Sequence, residues 1–311
     1  MGFLGFGDYN KPGKGVSKDK PEKKGFFLYW DIVFHKLTKI LGANAMYTLT
    51  SAIWLAFLAV LCVPFVFGVT SEDVVGIFAK AGQELDVQGA DGMLRLLYVN
   101  GAFLIFNLLG SGPASASYAY IVKCFAHRQH VWILSEGRDK FKENLKQSMT
   151  VLLINTLMLI AGSTSVKFYY VLAREQAFFG VLLYIMTVLF IIFIWMQFYI
   201  YQLMTSMRYT IKQLYKNAVI LAFVKLPVNI FLTVLTAAVS AAVYMLASNL
   251  LTEVVLLGVV GMFFTRFAIE FSASRTVNKL LVNNANRVTV KYDEENIFDD
   301  NLSERIKRDE E

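Results

Sequence analysis

Residues 108–118 read LLGSGPASASY and lie between two apolar runs. The first run, residues 94–109, has about the length of a membrane helix. Gly110, Gly112 and Pro113 predict that this helix breaks, because proline lacks an N–H group and clashes with the preceding turn. The segment up to the next apolar run at Met149 carries several cations: Lys123, Arg128, Arg138, Lys140, Lys142 and Lys146. The sequence therefore predicts a membrane helix that ends at the break and delivers a basic loop, residues 111–148, to the cytoplasm.

The composition is that of an integral membrane protein. Of the 311 residues, 56% are hydrophobic and 17% are charged, and the mean hydropathy is +0.49. We expect an all-α bundle of about six transmembrane helices in the lipid bilayer, preceded by an amphipathic interfacial helix. The apolar runs predict spans at about residues 45–69, 93–109, 149–166, 178–204, 219–247 and 250–269.

The remaining segments flank this membrane domain, residues 45–274. Residues 1–25 predict a flexible basic tail, and residues 275–311 predict a polar tail that becomes acidic. Residues 26–44 place aromatic and apolar side chains at spacings of three and four, which favours a helix lying in the membrane interface. Gly42-Ala43-Asn44 predicts a corner before the first span. The alternative is that residues 26–44 are simply the first turns of that span.

The distribution of charge predicts the orientation. A net charge of +6 would suggest a nucleic-acid partner in a soluble protein. Here the Lys and Arg residues concentrate in the segments on one side of the predicted spans, and the loops on the other side contain few. The positive-inside rule then places both termini in the cytoplasm, and no nucleic-acid partner is expected.

Few residues are candidates for metal binding or catalysis. Cys124, His127 and His130, spaced by three, would lie on one face of a helix and could bind zinc or copper. A fourth ligand is not evident, and histidines beside Arg128 are more often solvated, so no metal or cofactor is expected. The three histidines and the scarcity of carboxylates in the spans leave little material for a catalytic set, so we expect no enzymatic activity.

Polar and small residues inside the spans predict helix packing. Five amides are expected to hydrogen-bond between helices: Asn100, Asn107, Asn155, Gln197 and Gln202. Arg266 and Glu270, one turn apart, predict an ion pair at the membrane boundary rather than a proton relay. Small residues in the fifth span allow close helix approach, within the bundle or to another subunit: Ala237, Ala238, Ala241 and Ala242.

Three stretches resemble the YesL-like family of bacterial multi-pass membrane proteins. Gly110-Ser111-Gly112-Pro113-Ala114 is similar to the family's TIGPA signature, although Ser111 replaces a residue that is usually bulky and apolar. Residues 141–148 and residues 211–218, the latter followed by Leu226-Pro227, match in order, and the resemblance covers residues 28–281. It implies a bacterial cell membrane. Members are typically encoded beside carbohydrate ABC importers, and their biochemical role is not established.

The function that we expect is a non-catalytic accessory role in carbohydrate ABC import. The importer, through its permease subunits, is the partner that the resemblance implies, and the basic loop would dock it. Trp132, Ile133 and Leu134 would be the apolar anchor, or would instead insert into the membrane surface. The cations beside them are Arg138, Lys142 and Lys146. The alternatives are a small-solute transporter or channel, and a membrane scaffold or sensor that uses the acidic tail.

Overall fold

The computed structural model describes residues 25–62 and 68–282, and this part of the chain is helical, with no strand. Within these ranges, five helices are long and apolar enough to cross a membrane, or six if a bent pair near the N-terminus forms one span. The predicted all-α membrane bundle of about six spans is therefore confirmed. Of the predicted tails, residues 1–25 and 275–311, residues 1–24 and 283–311 lie outside the described residues, whereas residues 275–282 belong to a helix.

The helices are numbered in chain order. The first six are α1 (Phe26–Thr50), α2 (Ala52–Phe57, continued by a π-helical turn, Leu58–Cys62), α3 (Ser71–Lys80), α4 (Val87–Leu109), α5 (Pro113–Ala126) and α6 (Ile133–Glu143). The next four are α7 (Leu145–Ala173), α8 (Ala177–Ser206), α9 (Ile211–Val224) and α10 (Leu226–Leu246). The last two are α11 (Leu250–Val255, continued by Leu256–Gly261 and Met262–Phe264) and α12 (Arg266–Val277, continued by Asn278–Val282).

The predicted corner at residues 42–44 is wrong. α1 continues through these residues, and the chain bends by 58° at Ser51, between α1 and α2. Ala43 and Asn44 are buried against the rest of the bundle, so their small size permits close packing rather than a turn. The hydroxyl group of Ser51 hydrogen-bonds to the hydroxyl group of Ser111 at 2.7 Å, which ties the bend to the glycine–proline break.

The segment predicted as a basic loop, residues 111–148, is instead mostly helical. α5 begins at Pro113, which fits the start of a helix because its missing N–H would have no partner there. Its residues are mainly small or apolar, and nearly all of them are buried. α5 contributes to both apolar cores, one with α1, α4 and α12 and the other with α8, α9 and α12. The first part of the predicted loop, residues 111–126, therefore forms the centre of the molecule.

The other spans differ from their predicted limits mainly at the break after α9. The predicted span 219–247 is divided at Lys225, because Pro227 begins a new helix, α10. α12 extends the predicted sixth span to Val282. The helix ends nearest α5 form what we call the junction end of the bundle. The opposite end, with α3 and the turns before α8 and α11, is the far end.

Candidate functional site

The break between α4 and α5, residues 110–112, has a conformation that requires glycine. Gly110 and Gly112 have φ values of 82° and 66°, which side-chain-bearing residues rarely adopt. A Cβ atom on Gly110 would lie 2.6 Å from a ring carbon of Tyr201 and 2.7 Å from the Ser115 hydroxyl oxygen. Neighbouring helices therefore approach the backbone here more closely than any side chain would allow.

Side chains from three helices, α2, α5 and α8, satisfy backbone groups of this break. The N–H of Ser111 donates to the Ser115 hydroxyl at 2.7 Å, and the N–H of Gly112 donates to the Tyr201 hydroxyl at 3.1 Å. The indole N–H of Trp54 donates to the carbonyl of Gly110 at 3.2 Å. The backbone that leaves the membrane helix is thus hydrogen-bonded rather than solvated, as a buried non-helical segment must be.

An ion pair lies directly against the break. The guanidinium of Arg266 donates to the carboxylate of Glu270, and both side chains are fully buried. The same guanidinium donates to the carbonyl of Asn107 at 2.9 Å and lies 5.5 Å from the centroid of the Tyr201 ring. Gln202 donates to Glu270 at 2.8 Å. The predicted ion pair is therefore present, and both of its side chains are buried between helices.

Two tyrosines extend this network towards α1. The Tyr47 hydroxyl hydrogen-bonds to Ser115 at 2.7 Å, and the Tyr47 ring stacks on the Tyr118 ring with centroids 4.6 Å apart. The Tyr118 hydroxyl donates to the side-chain oxygen of Asn44 at 2.5 Å. Together these groups form the junction cluster, defined as Tyr47, Ser111, Ser115, Tyr118, Tyr201, Arg266 and Glu270.

The two charged groups of the junction cluster are paired with each other. Arg266 and Glu270 neutralise one another, and most neighbouring polar atoms are hydrogen-bonded. Within the described residues, the exceptions are the Nε of Arg266, the Oδ1 of Asn107 and the Oε1 of Gln202, which make no hydrogen bond. Because the charges of the pair are mutually satisfied, the arrangement fits a structural connection between helices better than a reacting centre.

The predicted amides behave differently from one another. Asn100 donates to the carbonyl of Ser240 at 2.8 Å, and Asn155 accepts from the Tyr215 hydroxyl at 3.1 Å, so both connect helices. Gln202 connects α8 to α5 and α12. Asn107 donates within its own helix, and Gln197 is buried without a hydrogen bond in the described part of the chain.

The candidate metal ligands do not converge. Among the described residues, no three His, Cys, Asp or Glu side chains form a group that could hold a metal ion. Cys124 is buried in α5, whereas His127 follows the end of that helix and His130 is exposed. The helix ends between them, so the spacing of three does not place them on one face. Burial also raises the pKa of the Cys124 thiol, which disfavours the thiolate that a metal would require.

The predicted docking residues lie on α6 and its continuation into α7. Trp132 is 70% exposed and Leu134 is 76% exposed, and the cations Arg138, Lys142 and Lys146 are exposed as well. Leu134, Arg138 and Lys142 follow one another at intervals of four, so they share one face of the helix. Ile133 instead packs against the core. We call Trp132, Leu134, Arg138, Lys142 and Lys146 the docking face.

The small residues of α10 do not pack within the chain. Ala237, Ala238, Ala241 and Ala242 are all exposed, while Thr236 and Ser240 face the interior. Of the two alternatives that the sequence left open, the described structure therefore does not use this alanine stripe for packing inside the bundle. The close helix approach that small residues permit occurs at α5 instead, where Ala114, Ala116 and Ala119 are buried.

Sequence reasoning missed most of the junction cluster. Ser115 and the three tyrosines of the cluster were not singled out, nor was Ser51, which lies outside the cluster and hydrogen-bonds to Ser111. Tyr47 and Ser51 are nevertheless four residues apart in the sequence, as are Ser111 and Ser115. That spacing places each pair on one face of a helix or turn, which was the available signal. The partners themselves come from distant parts of the sequence and carry no local pattern.

Comparison of the chain with models of protein families, with curated proteins and with solved structures gave no match. The resemblance to the YesL-like family therefore rests on the three sequence stretches. Function must be inferred from the junction cluster and the docking face.

Proposed function

We propose that the protein is a non-catalytic accessory protein of a carbohydrate ABC importer in a bacterial cell membrane. It would dock the importer's permease subunits through the docking face, with both termini in the cytoplasm. The observation that carries this proposal is the exposure of Trp132 and Leu134 beside three exposed cations, on a helix whose opposite side is firmly held. Large apolar side chains next to Arg are typical anchors of protein interfaces.

The rigidity of α6 supports a docking role. The Ser117 hydroxyl donates to the carbonyl of Gly137 at 2.7 Å, and the Tyr120 hydroxyl donates to Glu136 at 3.2 Å. Gly137 is buried so closely against α5 that a Cβ atom there would lie 3.2 Å from the Ser117 hydroxyl oxygen. α6 is therefore fixed to the central helix, and a surface held in its bound conformation loses little entropy when a partner binds.

The internal use of the buried charges supports a non-catalytic role. Arg266 and Glu270 are engaged with each other, with the carbonyl of Asn107 in α4 and with Gln202 in α8, so they connect α4, α8 and α12. The identity of the partner comes from the YesL-like resemblance, and the orientation comes from the positions of Lys and Arg along the sequence.

The test is purification of the tagged protein from its native cells in a mild detergent, with mass spectrometry of the proteins that accompany it. The variant is Trp132→Ser with Leu134→Ser, which removes the apolar anchor without touching a buried residue. The matched control is Met245→Ser with Leu251→Ser, because these side chains are 84% and 74% exposed at the far end.

The proposal expects importer permease subunits to accompany the original protein and the control, and to be reduced at least about tenfold in the variant. Loss of two apolar anchors at an interface commonly costs more than about 2 kcal/mol, which corresponds to more than tenfold in affinity. Recovery of the protein without any permease subunit, or equal recovery with the variant, would contradict it. In the second case the docking face serves membrane-surface insertion instead.

A further inference from the structure

A basic cleft lies at the junction end, and none of the described residues that line it belongs to the docking face. It has a volume of about 400 Å³ and lies between the end of α5, the break between α9 and α10, and the end of α12. Its cationic and titratable lining residues are His127, Lys225, Arg275 and Lys279. Thr276 and Asn278 add polar groups.

The described residues that line the cleft include cations but no carboxylate to balance their charge. None of the residues that line it in the described part of the chain is Asp or Glu. Lys225, Arg275 and Lys279 also form no ion pair with the described carboxylates, unlike Arg128, which pairs with Asp31 at 3.0 Å. Three cationic side chains around one cleft repel one another, and an anion between them removes that repulsion.

A smaller cleft adjoins the basic one. It has a volume of about 80 Å³, shares His127 and Arg275, and continues towards α1 at Arg128, whose charge is paired with Asp31. Lys225 lies between the end of α9 and the start of α10, so the opposite partial charges of these two helix ends offset one another there. The positive charge of the cleft therefore comes from its side chains.

We propose that this cleft binds the phosphate group of an anionic ligand. Arg275 offers a planar, multi-donor group that matches phosphate oxygens, and the two lysines supply further charge. A phosphate group can come from a membrane lipid or from a small soluble compound. Phe223 and Val224, directly before Lys225, are 54% and 56% exposed, so acyl chains of a lipid could lie against them while its headgroup enters the cleft.

The experiment measures the thermal unfolding of the full-length protein in a neutral detergent at matched ionic strength. The probes are inorganic phosphate, dioctanoyl phosphatidylglycerol and dioctanoylglycerol, which has the same chains without phosphate. The cleft variant is Lys225→Gln/Arg275→Gln/Lys279→Gln. The control, Arg208→Gln/Lys212→Gln/Lys216→Gln, removes the same charge from exposed positions that do not line the cleft.

The proposal expects concentration-dependent stabilisation by a phosphate-bearing probe and none by dioctanoylglycerol. Stabilisation by phosphatidylglycerol alone identifies a lipid headgroup, and stabilisation also by inorganic phosphate identifies a site open to soluble phosphate compounds. Each removed cation should weaken the apparent affinity about tenfold, since a hydrogen bond to a charged group contributes about that factor. The control variant should stay within about twofold of the original protein.

The proposal is overturned if neither phosphate-bearing probe stabilises the original protein, or if the cleft variant and the control respond equally. The absence of stabilisation is also the result expected if acidic residues of the chain itself occupy the cleft, because the full-length protein contains them. If the triple variant does not fold, Lys279→Gln replaces it. Lys279 is exposed, so its loss should leave the fold intact and weaken binding about tenfold.

Discussion

The two halves of α8 differ in burial although both are apolar. The half nearest the far end, residues 177–192, contributes none of the buried residues of this helix, whereas the half from Phe193 onwards packs against α5, α9 and α12. Lipid chains are as apolar as the side chains of the first half, so apolar character alone does not drive helices together in a membrane. The second half contains Tyr201 and Gln202, which hydrogen-bond to the break and to Glu270.

Polar contacts and close approach of the backbones therefore determine where this bundle becomes compact. At the junction end, glycines and small residues let helices approach, and the junction cluster connects them. At the far end, large apolar side chains such as Met245 and Leu251 remain exposed for lipid. Substitutions in the junction cluster should therefore destabilise the fold far more than chemically similar substitutions elsewhere.

The largest effect is expected from breaking the buried ion pair. Glu270→Leu leaves the fully buried Arg266 without its counter-ion, so the free energy of unfolding should fall by about 3–5 kcal/mol. Chemical denaturation in mixed micelles measures this free energy of unfolding. The control is Glu143→Leu, which breaks an ion pair between Lys140 and Glu143 at the surface and should cost less than about 1 kcal/mol. Equal losses for the two variants would show that the junction cluster is not the stabilising centre.

The next effect is expected from adding one methyl group to the break. Gly110→Ala forces a positive φ on alanine and places its Cβ 2.6 Å from the Tyr201 ring, so it should cost about 2–4 kcal/mol. Gly180→Ala, in the far half of α8, meets no atom within 4 Å and should stabilise the helix by up to about 1 kcal/mol. The same denaturation measurement applies. A tolerated Gly110→Ala would mean that the break is less closely packed than the distances require.

The smallest effect concerns reactivity rather than stability. Burial raises the pKa of the Cys124 thiol, so less thiolate is present at neutral pH, and the surrounding core also excludes reagent. Two variants are compared for their rate of reaction with a maleimide. The first, Cys62→Ser, keeps Cys124, and the second, Cys62→Ser/Cys124→Ala/Ser248→Cys, has its cysteine at an exposed position of the far end. The first should react at least about a hundredfold more slowly than the second. Labelling of Cys124 that accelerates on addition of a chelator would instead indicate a bound metal.

Much of the architecture could be predicted from the sequence. Long apolar runs predicted the spans, because only a helix satisfies its own backbone groups in lipid. The pattern of glycine and proline at residues 110–113 predicted where a helix ends. The helical structure and the burial of the next segment, residues 113–126, could not be predicted in the same way. The cations at residues 123–146 favour a loop, whereas the small residues of α5 fill a space that other helices define.

The burial of the Arg266–Glu270 pair is the second point that the sequence did not reveal. A pair four residues apart near the end of an apolar run is typical of a membrane boundary. Its burial depends on the carbonyl of Asn107 and the amide of Gln202, which lie far away in the sequence. The corner predicted at residues 42–44 fails for a related reason, since Asn44 is held by Tyr118 and α1 continues past it.

The most direct test of the proposed docking role is photo-crosslinking in native cells. A benzophenone amino acid at Leu134 samples the docking face, and one at Met245 samples an equally exposed position at the far end. We predict that Leu134 crosslinks to a permease subunit of a carbohydrate importer and that Met245 does not. Crosslinks from Leu134 only to lipid, or the same protein crosslinked from both positions, would contradict docking through α6.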